Sequence, residues 1–123
     1  MEANREILRI DHRNKVCHAD LYAMAFLEDG STIFYIPSLR ISAYGDNFDE
    51  AKQMAEEVVD DFFKSLLNLG ESEGTKKLIE LGWKRSPLFK KRMEALSTTT
   101  FEDIKREFNI PDEVKIEEVA LEV

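Results

Sequence analysis

His12, His18 and Cys17 are the side chains of this sequence best suited to bind a metal or to serve as base and nucleophile, and Asp20 lies just beyond them. In an extended segment alternate side chains face opposite ways, so His18 and Asp20 share one face and Cys17 takes the other. That separates groups which a tetrahedral site needs to converge. No Gly-x-Ser-x-Gly elbow supplies a serine nucleophile, and the five glycines are scattered as turn and cap residues instead of forming a phosphate-cradling loop. Carboxylates are abundant, but two-metal phosphodiester hydrolysis requires several of them around a pair of ions. Asp20, Asp46 and one helical residue are the set that could converge. Asp46, between Gly45 and Asn47, fits turn and capping chemistry better, and Glu56, Glu57, Asp60 and Asp61 fit a solvated helix face. The expectation is a binding protein with no catalytic residue, no metal and no cofactor; a metal-dependent nuclease is the weaker alternative.

The elements that position these residues follow from patterning. Ile7 to Ile10 is a short apolar run, and Asp20 to Leu27 is a second, apolar enough to be mostly buried. Glu28-Asp29-Gly30-Ser31 has hairpin turn chemistry, Thr32 to Ile36 is β-branched and aromatic, and Pro37 ends that strand. Ile41 to Tyr44 is a brief further strand closed by Gly45-Asp46. The connections are too short for parallel crossovers, so the arrangement is an antiparallel meander. Asn47 caps a helix that starts at Phe48, with Glu50 in the capping-box position, and Gly70 ends it after Leu69. At 100° per residue, Phe48, Ala51, Ala55, Val58, Val59, Phe62, Leu66 and Leu69 form its apolar stripe, with Glu57 and Asp60 opposite.

Beyond this point the composition changes. Glu71 to Gly74 reads as a polar hinge, Thr75 to Leu81 as a short helix stopped by Gly82, and Pro87 to Leu96 as a helix capped by Ser86. Ser97 to Thr100 is a linker and cap, Phe101 to Phe108 a last short helix, and Val114 to Val123 a strand whose Val119, Leu121 and Val123 share one face. The division is thus 1–70, a sheet-plus-helix domain; 71–74, a hinge; and 75–123, a basic helical extension ending in an acidic strand.

The 123 residues suffice for one domain with an appendage, and 43% hydrophobic residues are enough for a core while 34% charged residues exclude a membrane protein of apolar spans. The single cysteine makes no internal disulfide and the charged start lacks an apolar signal stretch, so a cytoplasmic location without membrane contact is expected. The net charge of -8 argues against a chain that coats nucleic acid with its whole surface. The charge is split, however. Residues 75–106 hold nine basic and four acidic side chains, which leaves the rest strongly acidic. Lys84, Arg85, Lys90, Lys91 and Arg92 are the nucleic-acid-binding candidates, for weak phosphate contact without base reading.

The stretch YIPSLRISAYGDNFDEAKQMAEEVVDDFF resembles the HicB family of antitoxins through Pro37, Leu39, Gly45, Asp46, Glu50 and Ala51. The resemblance covers residues 20–69. Common members carry Pro-Gly after the leucine where this chain has Arg40, and they end in a DNA-binding module, whereas here an acidic, β-branched stretch follows the last helix. The resemblance implies an α+β fold: three antiparallel strands with one long helix across them, a reduced RNase H-like unit, here extended by short helices and a final strand. It also implies a function, the binding and neutralising of a small basic RNA-cleaving toxin of the HicA-like kind. Glu57 and Asp60 are the partner-binding candidates, since an acidic face steers a basic partner. Val119, Leu121 and Val123 are candidates for pairing with a sheet edge in a homo-oligomer. The alternative function is a stand-alone oligomeric interaction module or regulator without a toxin.

Overall fold

In the computed structural model, residues 4–97 and 99–123 are described. In chain order the elements are β1 (Asn4–Asp11), β2 (Val16–Glu28), β3 (Ser31–Ile36), β4 (Ile41–Gly45), α1 (Phe48–Leu69), α2 (Glu71–Glu80), β5 (Lys84–Arg85), β6 (Arg92–Ser97), α3 (Phe101–Glu107) and β7 (Glu117–Glu122). The fold is α+β, with all seven strands in one antiparallel sheet.

The long strand β2 organises the sheet. Its first part pairs with β1, Asp20 opposite Ile7 through Val16 opposite Asp11. Its last part pairs with β3, Met24 opposite Tyr35 through Glu28 opposite Ser31. β7 spans the middle and overlaps both stretches, pairing from Asp20–Glu122 to Ala25–Glu117. One edge of a strand holds one partner per residue, so β1 and β3 must share the edge opposite β7. The sheet therefore forks, with a β3–β4 wing and a β1–β6–β5 wing on one edge of β2 and β7 alone on the other. Asp29 and Gly30, both at positive φ, make the tight β2–β3 turn.

The two faces of the sheet carry separate cores. On one face Leu8, Leu21, Ala23, Ala25, Phe34 and Ala43 meet Ala51, Ala55, Val59, Phe63 and Leu66 of α1, together with Leu78 of α2. The small residues Ala51 and Ala55 let the helix lie close to the strands, and Gly45 is required for the same reason: a Cβ there would stand 2.5 Å from the Ala51 backbone nitrogen. On the other face Met24, Phe26 and Tyr35 pack against Ile104 of α3 and against Ile110 and Ile116. Phe108 stacks edge-on against Tyr35 at 4.9 Å.

Several expectations are corrected. Glu71 to Gly74 forms the first turn of α2, because Gly70, at φ +86, turns the chain and its carbonyl accepts from Gly74. The helix expected over Pro87 to Leu96 is a loop followed by β6. Ser86 Oγ accepts from the Leu88 and Phe89 nitrogens, but the turn stops there, and the following residues pair with β1. The region beyond residue 74 is consequently not a helical appendage: β6 and β7 are strands of the same sheet as β1 and β2. On α1 the buried aromatic is Phe63 rather than Phe62, while Phe48 and Leu69 are substantially exposed. Thr98, within the expected linker, lies outside the described residues; Thr100 caps α3 in a full capping box with Asp103. Arg40, where common HicB members carry Pro-Gly, takes φ +53, a left-handed conformation otherwise favoured by glycine.

Candidate functional site

Three features of the fork bear on function: a buried carboxylate at its apex, an acidic free edge, and a basic cleft at the far end.

Glu6 sits on the core face of β1, in register with Leu8 and Ile10, and has no solvent exposure. Between the two wings Tyr22 has no strand partner on its side of β2. Glu6 Oε2 fills the gap by accepting from the Tyr22 nitrogen at 3.2 Å and from Ser38 Oγ at 2.7 Å. Trp83, also buried, donates its Nε1 to the Ser38 carbonyl at 2.9 Å. One residue from each of four segments thus closes the fork. Burial raises the Glu6 pKa above the ordinary carboxylate range; the two hydrogen bonds oppose the rise and nearby Glu118 adds to it. Oε1 is buried with no hydrogen-bond partner among the described residues. The carboxylate search of the sequence missed Glu6. Its signal was a glutamate at an inward position of the alternation Glu6, Leu8, Ile10.

β7 forms the edge opposite the wings. Ala19 and Val123 exchange backbone hydrogen bonds at 2.9 and 3.0 Å, so the odd-numbered residues of β7 bond to β2 and the even-numbered ones direct their N–H and C=O groups outward. Leu121 is buried and Val119 and Val123 pack against the same core, so these three side chains serve the chain's own core. An assembly through β7 would have to use its outward backbone edge. That edge carries the exposed Glu118, Ala120 and Glu122.

Glu57 and Asp60 lie exposed on the outer face of α1, Asp60 in an i,i+4 ion pair with Lys64 at 3.0 Å. The pair raises the Lys64 pKa. Of the six residues shared with the HicB pattern, Leu39 is buried and Pro37 half-buried in the turn after β3. Gly45 and Ala51 make the close β4–α1 approach, and Asp46 and Glu50 are exposed around the helix start, where Asn47 Oδ1 accepts from the Glu50 nitrogen at 2.9 Å. Pro37, Leu39, Gly45 and Ala51 thus have structural uses, whereas the side chains of Asp46 and Glu50 are exposed.

The basic residues Lys84, Arg85, Lys90, Lys91 and Arg92 lie on the β5–β6 hairpin instead of a helix. Because β6 pairs with β1, this hairpin comes to rest beside the β1–β2 turn, and Lys91 Nζ reaches Asp11 Oδ2 at 3.0 Å. That contact, with Asn14, lowers the Asp11 pKa to about 2. The pairing adds Arg9 and Arg13 to the basic group, which the sequence did not reveal because they lie some eighty residues away. Between the hairpins is a cleft of about 320 Å³ walled by Ile10, Val16 and Phe89 and rimmed by Arg9, His18 and Arg92. The Arg92 guanidinium stands 5.3 Å from the centre of the Phe89 ring.

Cys17 is half-buried toward the α1 core, and burial pushes its thiol up to about 12, which removes nucleophilic character. His18 lies on the opposite face of β2, in the cleft. Among the described residues no three His, Cys, Asp or Glu side chains are placed to hold a metal ion, and no helix is long and apolar enough to cross a membrane. The chain matches no protein-family model, no curated protein and no solved structure.

Proposed function

We propose that the chain is an antitoxin-like binding protein that captures a small basic RNA-cleaving partner and masks its RNA-binding surface. The observation that carries this reading is the outward edge of β7 at Ala120: among the described residues the strand pairs with β2 alone, is seated in the core by Leu121 and turns the Ala120 N–H and C=O outward beside exposed glutamates. Such an edge can accept an added strand, and its charge favours a basic one. A second copy is a poorer occupant: in the fully overlapped antiparallel register Glu118 would stand opposite Glu122 of the other copy, and like charges directly opposite destabilise a strand pair. Glu57 and Asp60, exposed on α1, add negative charge that would act on association rate more than on affinity. The β2–β3–β4–α1 order is compatible with the reduced RNase H-like unit that the HicB resemblance implies. A second, weaker property is contact of the β5–β6 hairpin with DNA phosphates.

Co-expression tests the reading. A small basic reading frame is expected adjacent to the gene, its product arresting growth when expressed alone and co-purifying with this chain, without arrest, when the two are expressed together. Absence of a complex between the two products would refute it.

A further inference from the structure

The cleft between the β1–β2 and β5–β6 hairpins opens on the sheet face that α1 and α2 do not cover, since Arg9, Val16, His18 and Arg92 all point to that side of their strands. It combines an apolar wall with cations at the rim, in a chain whose net charge is -8. The charges of the cleft itself are paired, Lys91 with Asp11 at 3.0 Å, Arg9 with Asp20 at 3.7 Å and Arg92 with Glu94 at 3.2 Å, so added anions would be met by the exposed Arg13 and Lys90 next to it. Phe89 is 55% exposed yet lines the cleft, leaving part of its ring surface open to a flat ligand.

We propose that this cleft binds single-stranded nucleic acid, one unpaired base lying against Phe89 and the neighbouring phosphates meeting Arg13 and Lys90, which line an adjoining pocket that shares Asp11 and Lys91 with the cleft and reaches Glu71 and Thr75 of α2. The chemistry required is an aromatic plane joined to anionic groups on both sides, which a single strand offers at every nucleotide. A duplex keeps its bases stacked and offers a recessed apolar wall only its backbone. An anionic lipid surface would call for apolar side chains projecting together from the hairpin tip. Only Leu88, 82% exposed, projects freely, while Phe89 is turned toward Arg92 and the cleft. This site shares no residue with the β7 edge, so either proposal can fail without the other.

Fluorescence anisotropy with the full-length chain tests the site, using labelled oligo-dT, oligo-U and a duplex of equal length over a range of salt concentrations. Both single strands should bind more tightly than the duplex, and the tighter of the two identifies DNA or RNA as the source. Phe89→Ala should weaken single-strand binding about tenfold through lost stacking, with little change in salt dependence, and Phe89→Trp should restore it. Arg13→Ala with Lys90→Ala should instead flatten the salt dependence, by about 0.7 in log-log slope for each lost phosphate contact. All three side chains replaced are exposed, and the emission of buried Trp83 reports that the alanine variants fold. Equal or tighter duplex binding, or an unchanged affinity in Phe89→Ala, would overturn the proposal. So would capture by phosphatidylserine vesicles with no binding to either single strand.

Discussion

The two wings of the fork are assembled on different terms. The β3–β4 wing, with α1 across it, is joined by short local connections: the Asp29-Gly30 turn, the Pro37–Arg40 bend and the Gly45–Asn47 helix start. Its special residues serve geometry and its seam is apolar. The β1–β6–β5 wing closes through pairs such as Arg9 with Arg92 and Ile7 with Glu94, which bring together distant parts of the chain. That wing gathers the cations and the cleft. The lesson is that in this molecule local pairing builds the scaffold, whereas long-range pairing assembles the side chains with chemistry, and Glu6 joins the two.

Removing that joint should have the largest effect. Glu6→Ala leaves the partly buried Tyr22 N–H and Ser38 hydroxyl without their acceptor, at about 1 kcal/mol each, and opens a cavity where the buried side chain stood. Urea denaturation should therefore show a loss of several kcal/mol, and hydrogen exchange should show both wings loosening next to β2. A loss confined to one wing would break the comparison. Gly45→Ala acts on the local wing alone. Its methyl would overlap the Ala51 backbone and force β4 and α1 apart, at about 1–3 kcal/mol, with β1–β6 exchange unaffected.

Glu6→Gln sharpens the picture through pH. The folded-state pKa of Glu6 lies above its unfolded value, so its contribution to stability is fully present below the unfolded pKa and is lost as pH rises through the folded one. Glutamine keeps an oxygen for Tyr22 and Ser38 and carries no charge. The variant should match the wild type in acid and become relatively more stable as pH increases, as read from melting curves across a pH series. A constant difference between the two would show that Glu6 does not titrate in the fork. The smallest effect is expected on the outer face of α1. Glu57→Lys with Asp60→Lys removes only an exposed ion pair, so stability should change by about 0.5 kcal/mol or less for each substitution.

The local wing was legible because its signals are short-range. Gly30, Pro37, Asn47 and Gly70 mark where strands and α1 begin and end, and the 100° construction placed Ala51, Ala55, Val59 and Leu66 in the core. Alternation puts Val119 and Leu121 on one face but does not say which surface that face covers: they pack on the chain's own core, with β2 as the partner strand, where an oligomer contact is expected from the sequence. Pro87 to Leu96 carries a helix signal because Ser86-Pro87 has the chemistry of a helix start, but the turn it begins ends where β6 meets β1. Nothing near Arg92 in the sequence announces that Arg9 lies opposite. The same limit hid the basic cleft and the role of Glu6, both of which depend on which strands share an edge.

The central claim, that the β7 edge captures a basic strand, can be tested at Ala120. Its N–H points outward, so Ala120→Pro removes a donor from the free edge while sparing the odd-numbered residues that bond to β2. Titration calorimetry with the purified product of the adjacent basic reading frame should show tight binding to the wild-type chain. Binding should weaken about tenfold in Ala120→Pro, as expected when strand addition loses one main-chain hydrogen bond of about 0.5–1.5 kcal/mol, with the melting temperature nearly unchanged. Undiminished binding by a folded Ala120→Pro variant would contradict the account.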